Sequence, residues 1–314
     1  MKLNSQTLSL LILITSLDLS HGYGRNPENP DDFCCPKATK EDYLRLRPLF
    51  DNLDTVERIS CDITRSEFDK LYSIPQKPVM LVGCDDSWPA KYRWTIDQLA
   101  KRFDRDTMWR AELGHEKIEN NGNKNASWGQ IADAMMNNGT FGLFDNIDDP
   151  HQQDLINDYD WPLFAKDTDV HDHFENIPAQ EYGSMRWFGA ASPFTGTEIH
   201  YDPFDTDAWN AVVQGEKWWF IMPPPADSEF ALHCSPSCSV PKPNMLDRYV
   251  ATLTSESPVV QGFVQKYVSF SFQKAGETLY LPRKFLHRYV VHHYLKENLP
   301  YQGSSLTCIF IEVF

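Results

Sequence analysis

His200-Tyr201-Asp202 sets an imidazole and a carboxylate two residues apart. On a strand, positions i and i+2 project from one face, so both side chains can grip one metal ion from the same side. A histidine from a distant segment would complete a two-histidine, one-carboxylate facial set. Such a set leaves positions open on Fe(II), enough for a chelating cosubstrate and dioxygen together. His287, His292 and His293 are the late histidines of the right type. The short motif alone carries little, because 10 histidines and 44 acidic residues in 314 positions give about 1.4 His-x-acid triplets by chance (10 × 44/314). His171-Asp172-His173 and His173-Phe174-Glu175 are further histidine–acid clusters. They lie in a polar, turn-like stretch without strand alternation and read as solvated loop.

The elements around His200 must position it. From Met185 onward, short aromatic and β-branched runs alternate with turn signals. Met185 to Ala190, Glu198 to Asp202, Trp209 to Gln214 and Lys217 to Met222 read as strands, with Gly215-Glu216 as a two-residue hairpin turn. Pro223-Pro224-Pro225 ends that hairpin. After a polar insert at about 226–257 come Tyr267 to Phe272, Thr278 to Leu281, Leu286 to Val291 and Thr307 to Val313. So many short strands predict a barrel or double-sheet jelly roll. The first half is mixed: Pro78 to Val82 reads as a strand. Thr64-x-x-Glu67, Thr95-x-x-Gln98 and Ser127-x-x-Gln130 read as capping boxes opening helices. Trp209, Trp218 and Trp219 read as core and wall residues.

The chain carries a formal charge of −15. That field repels nucleic-acid phosphates, and no Lys/Arg run offsets it, so no nucleic acid is expected. A basic polypeptide suits it better. Lys2 and the apolar run Leu8 to Leu17, followed by Ser20 and Gly22, read as a secretory signal. The run is short for a membrane span, and no later segment is long enough. Ile311 to Phe314 is not an ER-retention tetrapeptide. Seven cysteines suit an oxidising compartment. Cys234 and Cys238 can close a small loop. Cys34 and Cys35 are adjacent and bond elsewhere than to each other. Cys308 sits in a strand-like run. Asn125-Ala126-Ser127 and Asn138-Gly139-Thr140 become glycan acceptors once the chain enters the secretory pathway.

Thr195 to Pro203, followed by Asp207 to Trp219, resembles the core of the Jumonji-C family. The shared pattern is Gly-Thr-x-x-His-x-Asp, then Trp-Asn, then Gln-Gly-x-Lys-x-Trp, then prolines. Within that family the chain is most similar to the lysyl hydroxylase and arginine demethylase branch once called phosphatidylserine receptor. Tyr182 to Phe188, Leu143-Phe144-Asp145 and Trp161-Pro162 share that similarity. Gly276-Glu277, Pro282 and His287 resemble the block that carries the family's second histidine. The resemblance spans roughly residues 60 to 290. It implies His200, Asp202 and His287 as catalytic ligands of Fe(II), and a double-stranded β-helix with flanking helices. It implies Lys217, Thr197 and Asn210 as the residues that hold 2-oxoglutarate, with dioxygen as the other cosubstrate.

The expected activity is hydroxylation of a protein or peptide side chain, coupled to conversion of 2-oxoglutarate to succinate and CO2. N-methyl demethylation by the same mechanism and an inactive scaffold of the secretory pathway are the alternatives. The expected organisation is a leader over 1–22, an N-terminal arm over 23–59, a mixed α/β part over 60–181 and the barrel over 182–314. After His287 the sequence departs from the family's Asn-rich strand. The family's C-terminal helical dimerisation element and the basic and Ser-rich tracts of nuclear members have no counterpart, which argues against a chromatin role. Oligomeric state is left open. Made in a eukaryotic host, the protein should lose its leader and carry a glycan on Asn125 or Asn138; mass spectrometry finding an intact N-terminus on unglycosylated cytosolic protein would overturn the compartment.

Overall fold

A computed structural model of the chain describes residues 25–26, 29–33, 53–114, 117–118, 125–147, 152–162, 186–197, 199–202, 205–224, 258–292 and 308–313. The leader, Cys34, Cys35, Cys234, Cys238, the 171–175 cluster, His293 and the polar insert lie outside these residues.

Two β-sheets face each other. Apolar-rich segments build β4 (Val79–Val82), β8 (Phe141–Asn146), β9 (Arg186–Ala191), β11 (Ala208–Gln214), β14 (Glu277–Leu281) and β16 (Cys308–Val313). With β3 (Arg58–Ser60), β5 (Met108–Leu113) and β7 (Asn125–Ser127) they form a major sheet in the order β3-β4-β14-β11-β16-β9-β8-β5-β7. The minor sheet runs β13-β12-β15-β10-β6. Its strands are β13 (Ser269–Lys274), β12 (Glu216–Met222), β15 (Leu286–His292), β10 (Gly196–Thr197) and β6 (Lys117–Ile118). A short ribbon, β1 (Arg25–Asn26) with β2 (Asn29–Phe33), stands apart from both sheets.

The major sheet is covered on both faces, which explains why β11 and β14 read as nearly continuous apolar runs. Toward the minor sheet, Met80, Ala208, Val212, Leu279 and Leu281 pack on Trp219, Ile221, Tyr289 and Val291. On the other face, Val79, Leu81, Trp209, Ala211, Phe188 and Tyr280 meet the helical layer. Each large side chain buried there contributes roughly 1.5–3 kcal/mol. The fold is a double-stranded β-helix of the jelly-roll kind with helices on one side.

The helical layer begins with α1 (Arg65–Phe68), which runs into a π-turn over Asp69–Ser73. Thr64 and Glu67 form the reciprocal capping box expected of them, and so do Ser127 and Gln130 at α4 (Trp128–Met136). Between them lie α2 (Ala90–Arg93) and α3 (Ile96–Arg102). The third expected box does not form, since the Thr95 side chain makes no capping bond. There α3 is fixed by burial of Leu99, whose carbonyl accepts from Trp128 Nε1 at 3.1 Å. Asp158, just after α5 (Gln153–Ile156), ties the layer together. It is fully buried and accepts from Trp94 Nε1, Arg93 and Arg102. Burial alone would raise its pKa, but these bonds outweigh that and hold the carboxyl below its usual range. The helix α6 (Pro258–Tyr267) leads into β13.

Two expectations about the strands change. Glu198 to Asp202 is not a strand: β10 ends at Thr197, and within the described part of that stretch His200 makes only an isolated bridge. The Gly215 turn is not a hairpin either, because β11 and β12 belong to different sheets. Each of these strands already has a neighbour on both edges, which leaves neither edge for the other. Gly215, at φ +86°, instead carries the chain from one sheet to the other. Its carbonyl accepts from Ala275, in the equivalent crossing between β13 and β14.

Cys61 and Cys84 form a disulfide with a Cα–Cα distance of 5.1 Å, a pair not anticipated from sequence. Beside it Asp85 is 2% exposed, and neither carboxylate oxygen accepts a hydrogen bond among the described residues. Burial pushes its pKa up, against a smaller pull from Lys91. The unfolded chain therefore loses this proton in the ordinary carboxylate range while the folded chain keeps it to higher pH. Stability falls as pH rises through that interval and stays reduced above it. Asp85→Asn should remove this part of the fall. Urea midpoints from about pH 4 to about pH 8 check it, and an unchanged pH slope would contradict it.

Candidate functional site

The site forms where β10 presses against β15. A Cβ on Gly196 would lie 2.2 Å from the Tyr289 carbonyl oxygen, so only glycine permits this approach. The approach brings the segment after β10 alongside β15, where His200 and His287 exchange both backbone hydrogen bonds at 3.0 Å. Their ring centroids are 4.4 Å apart. Asp202 Oδ1 then lies 3.3 Å from His287 Nε2 and 4.0 Å from His200 Nε2. One ligand atom from each of the three residues falls within 4.8 Å of the others.

This donor set fits a metal ion. Ligands about 2.1 Å from one ion, on perpendicular bonds, are roughly 3 Å apart, so small side-chain rotations close the set. His287 Nδ1 is 3.0 Å from the Phe285 carbonyl. A carbonyl only accepts, so the proton sits on Nδ1 and the Nε2 lone pair is left for the ion. Asp202 Oδ1 is buried and accepts no hydrogen bond among the described residues. The two imidazoles differ: His287 is 1% exposed in its side chain and His200 28%.

The segment beyond Asp202 is latched to the β14–β15 turn. Asp207 accepts from the Tyr280 hydroxyl at 2.9 Å and from the Arg283 amide at 2.8 Å. Lys284 and Asp205 pair across the same gap at 3.2 Å. The two ligand-bearing segments are thus fixed to each other on both sides of the candidate centre.

The β12 register sets the depth of the cavity side. Ile221 lies opposite His287, Trp219 opposite Tyr289, and Lys217 opposite Val291. Lys217 is therefore four residues along the strand from the histidine row, about 13 Å between Cα atoms. It is fully buried, and its ammonium donates to Asn210 Oδ1 at 3.2 Å. Thr197 Oγ1 accepts from the Tyr289 amide at 3.4 Å. Gln273 accepts from Trp219 Nε1 at 2.8 Å and donates to the Asn210 and Glu277 carbonyls. That amide bridges the two sheets and fixes the backbone that carries Asn210. Asn210 Nδ2 is buried with no hydrogen-bond partner among the described residues.

The six expected residues, His200, Asp202, His287, Thr197, Asn210 and Lys217, thus gather within one barrel. His292 stands at the far end of β15, opposite Glu216. Sequence reasoning missed Gln273, Tyr289 and the Phe285 carbonyl. Alternation along β15 could have flagged Tyr289, which follows His287 by two. Nothing in the sequence marks a backbone carbonyl.

A jelly roll with a His/Asp/His cluster beside its lumen belongs to the broad class of cupin-like β-helix proteins. Residues 187–295 match the family described as "JmjC domain, hydroxylase". The chain is 31% identical over 187 residues to the bifunctional arginine demethylase and lysyl-hydroxylase psr-1 of Caenorhabditis elegans, covering 58% of this chain and 44% of that protein. It is 29% identical over 181 residues to the arginine-specific demethylase JMJ22 of Arabidopsis thaliana, covering 58% and 33%. A lysine-specific demethylase of the same plant, JMJ21, is 32% identical over 176 residues, 56% and 18%. The chain spans less than half the length of these relatives.

The close approach at Gly196 gives a direct test of how the site is built. Gly196→Ala should force β10 off β15, because the clash is with backbone and cannot be relieved by a rotamer. It should lower thermal stability by several degrees, on the scale of overpacking a core. Wild-type melting of this variant would mean that β10 does not pack as described.

Proposed function

We propose that the chain is an Fe(II)- and 2-oxoglutarate-dependent oxygenase of the secretory pathway that hydroxylates a side chain of a protein substrate. The observation that carries the reading is the pairing, in one barrel, of a His/Asp/His cluster with a buried lysine deeper along the same sheet face. Fe(II) would be held by His200, Asp202 and His287. The far carboxylate of 2-oxoglutarate would meet Lys217, with Asn210 and Thr197 as hydrogen-bonding neighbours. When bound, iron and cosubstrate supply the dioxygen chemistry that oxidises a C–H bond and releases succinate and CO2. The chain's own part is positioning: Phe285 orients His287, and Asp207 fixes the segment after Asp202.

The compartment rests on the apolar run Leu8 to Leu17 and on the Cys61–Cys84 disulfide, which suits an oxidising lumen. The acidic surface favours a basic polypeptide substrate. A second reading, N-methyl demethylation, draws on the names of the relatives, two of which are arginine demethylases. The same oxidation placed on an N-methyl group ends in loss of formaldehyde, so formaldehyde release separates the two. A scaffold would make neither product.

The test is succinate formation from 2-oxoglutarate by the Fe(II)-loaded protein. Asp202→Ala should abolish it, with circular dichroism unchanged. Lys217→Ala removes one partner of a buried charge-assisted contact, a cost of about 2–5 kcal/mol. It should weaken 2-oxoglutarate binding by about one and a half to three and a half decades while leaving metal affinity near wild type. Lys217→Arg should rescue only partly, since a planar guanidinium replaces a compact ammonium. Wild-type turnover in Asp202→Ala, or an unchanged dissociation constant in Lys217→Ala, would sink the assignment.

A further inference from the structure

Lys284 and Asp205 pair at 3.2 Å across the gap between the two segments that carry the candidate metal ligands. Asp205 lies three residues after Asp202 (205 − 202), and Lys284 three residues before His287 (287 − 284). At most about 10 Å of chain separates the pair from either ligand. Both side chains are mostly exposed, 66% for Asp205 and 57% for Lys284. The nearby Asp207 carboxylate is already committed to the Tyr280 hydroxyl and the Arg283 amide. Asp205 differs: among the described residues its partner is the Lys284 ammonium alone.

An exposed ion pair contributes little to stability, because water solvates both charges well once they part. This one is nonetheless held on an unfavourable backbone. Asp205 has φ +55° and Lys284 φ +64°, the left-handed region that non-glycine residues rarely occupy. The Asp207 latch holds both segments in that shape. The result is placement: a carboxylate stands beside the metal ligands, and its cation rides on a flexible four-carbon stem. Another ammonium or a guanidinium can take the same place without net loss of contacts, and Lys284 then swings into water. The ligand-bearing segment borders solvent, since His200 is 28% exposed in its side chain and Tyr201 is 53% exposed. A polypeptide can therefore reach it, and the formal charge of −15 draws a cationic one.

We propose that Asp205 is a specificity-determining residue: it binds a lysyl or arginyl side chain flanking the oxidised position of a polypeptide substrate, and Lys284 occupies its place in the free protein. An extended peptide advances about 3.3 Å per residue, so a cation held there stands about two to four positions from the oxidised residue. The oxidised side chain is a different one and goes to the metal. This rests on the oxygenase reading above, and adds to it a cation subsite with a competitor built into the fold.

The experiment follows the fluorescence anisotropy of labelled octalysine with the full-length Mn(II)-loaded protein. Salt is held at about 0.15 M, where exposed charges more than about 8 Å away are largely screened. Asparagine tolerates the left-handed backbone, so Lys284→Asn and Asp205→Asn change the charge and leave the turn in place. Lys284→Asn should bind octalysine about two- to fivefold more tightly and Asp205→Asn about two- to fivefold more weakly, the scale of one exposed ion pair. Lys77→Asn and Asp133→Asn make the same charge changes in exposed pairs elsewhere on the surface. They should leave binding within about 1.5-fold. In the Asp205→Asn background the gain from Lys284→Asn should shrink to that of Lys77→Asn, since it needs the vacated carboxylate. Mn(II) should broaden the ε-methylene proton signals of bound octalysine relative to the Zn(II)-loaded protein. Equal effects in the control variants would make this a matter of net charge and overturn the proposal. Binding without broadening, which puts the peptide elsewhere, also overturns it. So do site variants that melt lower yet bind octalysine as wild type does, the mark of a pair that only braces the turn. Absence of Mn(II) uptake by wild type removes the oxygenase reading and this one together. Uptake without octalysine binding, or with an affinity insensitive to positions 205 and 284, overturns this one alone.

Discussion

The two backbone hydrogen bonds between His200 and His287 close the site. They join residues far apart in sequence, and they do so where no regular ladder continues. Everything near the centre is referred to that bridge. It sets the spacing of the two imidazoles and puts Asp202 within 3.3 Å of His287. It also ties the register of β12, through β15, to the loop from β10. The bridge needs β10 to approach closely, and the approach needs a residue without Cβ at position 196. A few ångströms of backbone clearance therefore decide whether three polar side chains converge at all. The backbone bridge fixes the spacing of the two histidines, and the Phe285 carbonyl orients the His287 ring.

The second constraint is the two-sided burial of the major sheet. Its inner face lines the lumen with the minor sheet, and its outer face carries the aromatic helical layer. Trp94, Trp109 and Trp128 are all but fully buried there, held by edge-on ring contacts and by Asp158. The layer backs β9 and β11, and β11 carries Asn210. Rigidity on the outside thus reaches the lumen through one strand's thickness. Gln273 supplies the corresponding tie on the inside by hydrogen-bonding across both sheets.

The strands and their alternation were legible in the sequence because burial imposes a period on it. Val79 to Val82, Trp209 to Gln214 and Leu286 to Val291 appear close to where their patterns put them. What alternation does not encode is pairing. Gly215 signals a sharp turn in either case, and only the occupied edges of β11 and β12 decide that it is a crossing and not a hairpin. His200 and Asp202 were picked out on the premise that both lie on a strand. They converge through the bridge to His287 instead, so the premise was wrong although the residues still gather. The Cys61–Cys84 pair was not visible either, since neither spacing nor neighbours distinguish it among seven cysteines. Thr95 carries the same sequence signal as Thr64 and Ser127 but makes no capping bond.

The disulfide between Cys61 and Cys84 encloses α1, the π-turn and β4. A covalent loop of that length removes conformational freedom from the unfolded chain worth about 3 kcal/mol on the chain-entropy account. That is a large share of the roughly 5–15 kcal/mol that separates folded from unfolded domains. Protein made where thiols stay reduced begins with this deficit, and β4 is the strand next to β14 in the wall of the lumen. The choice of expression host is therefore a structural variable: the oxidation state of two cysteines at one end of the major sheet sets how firmly the barrel wall is held.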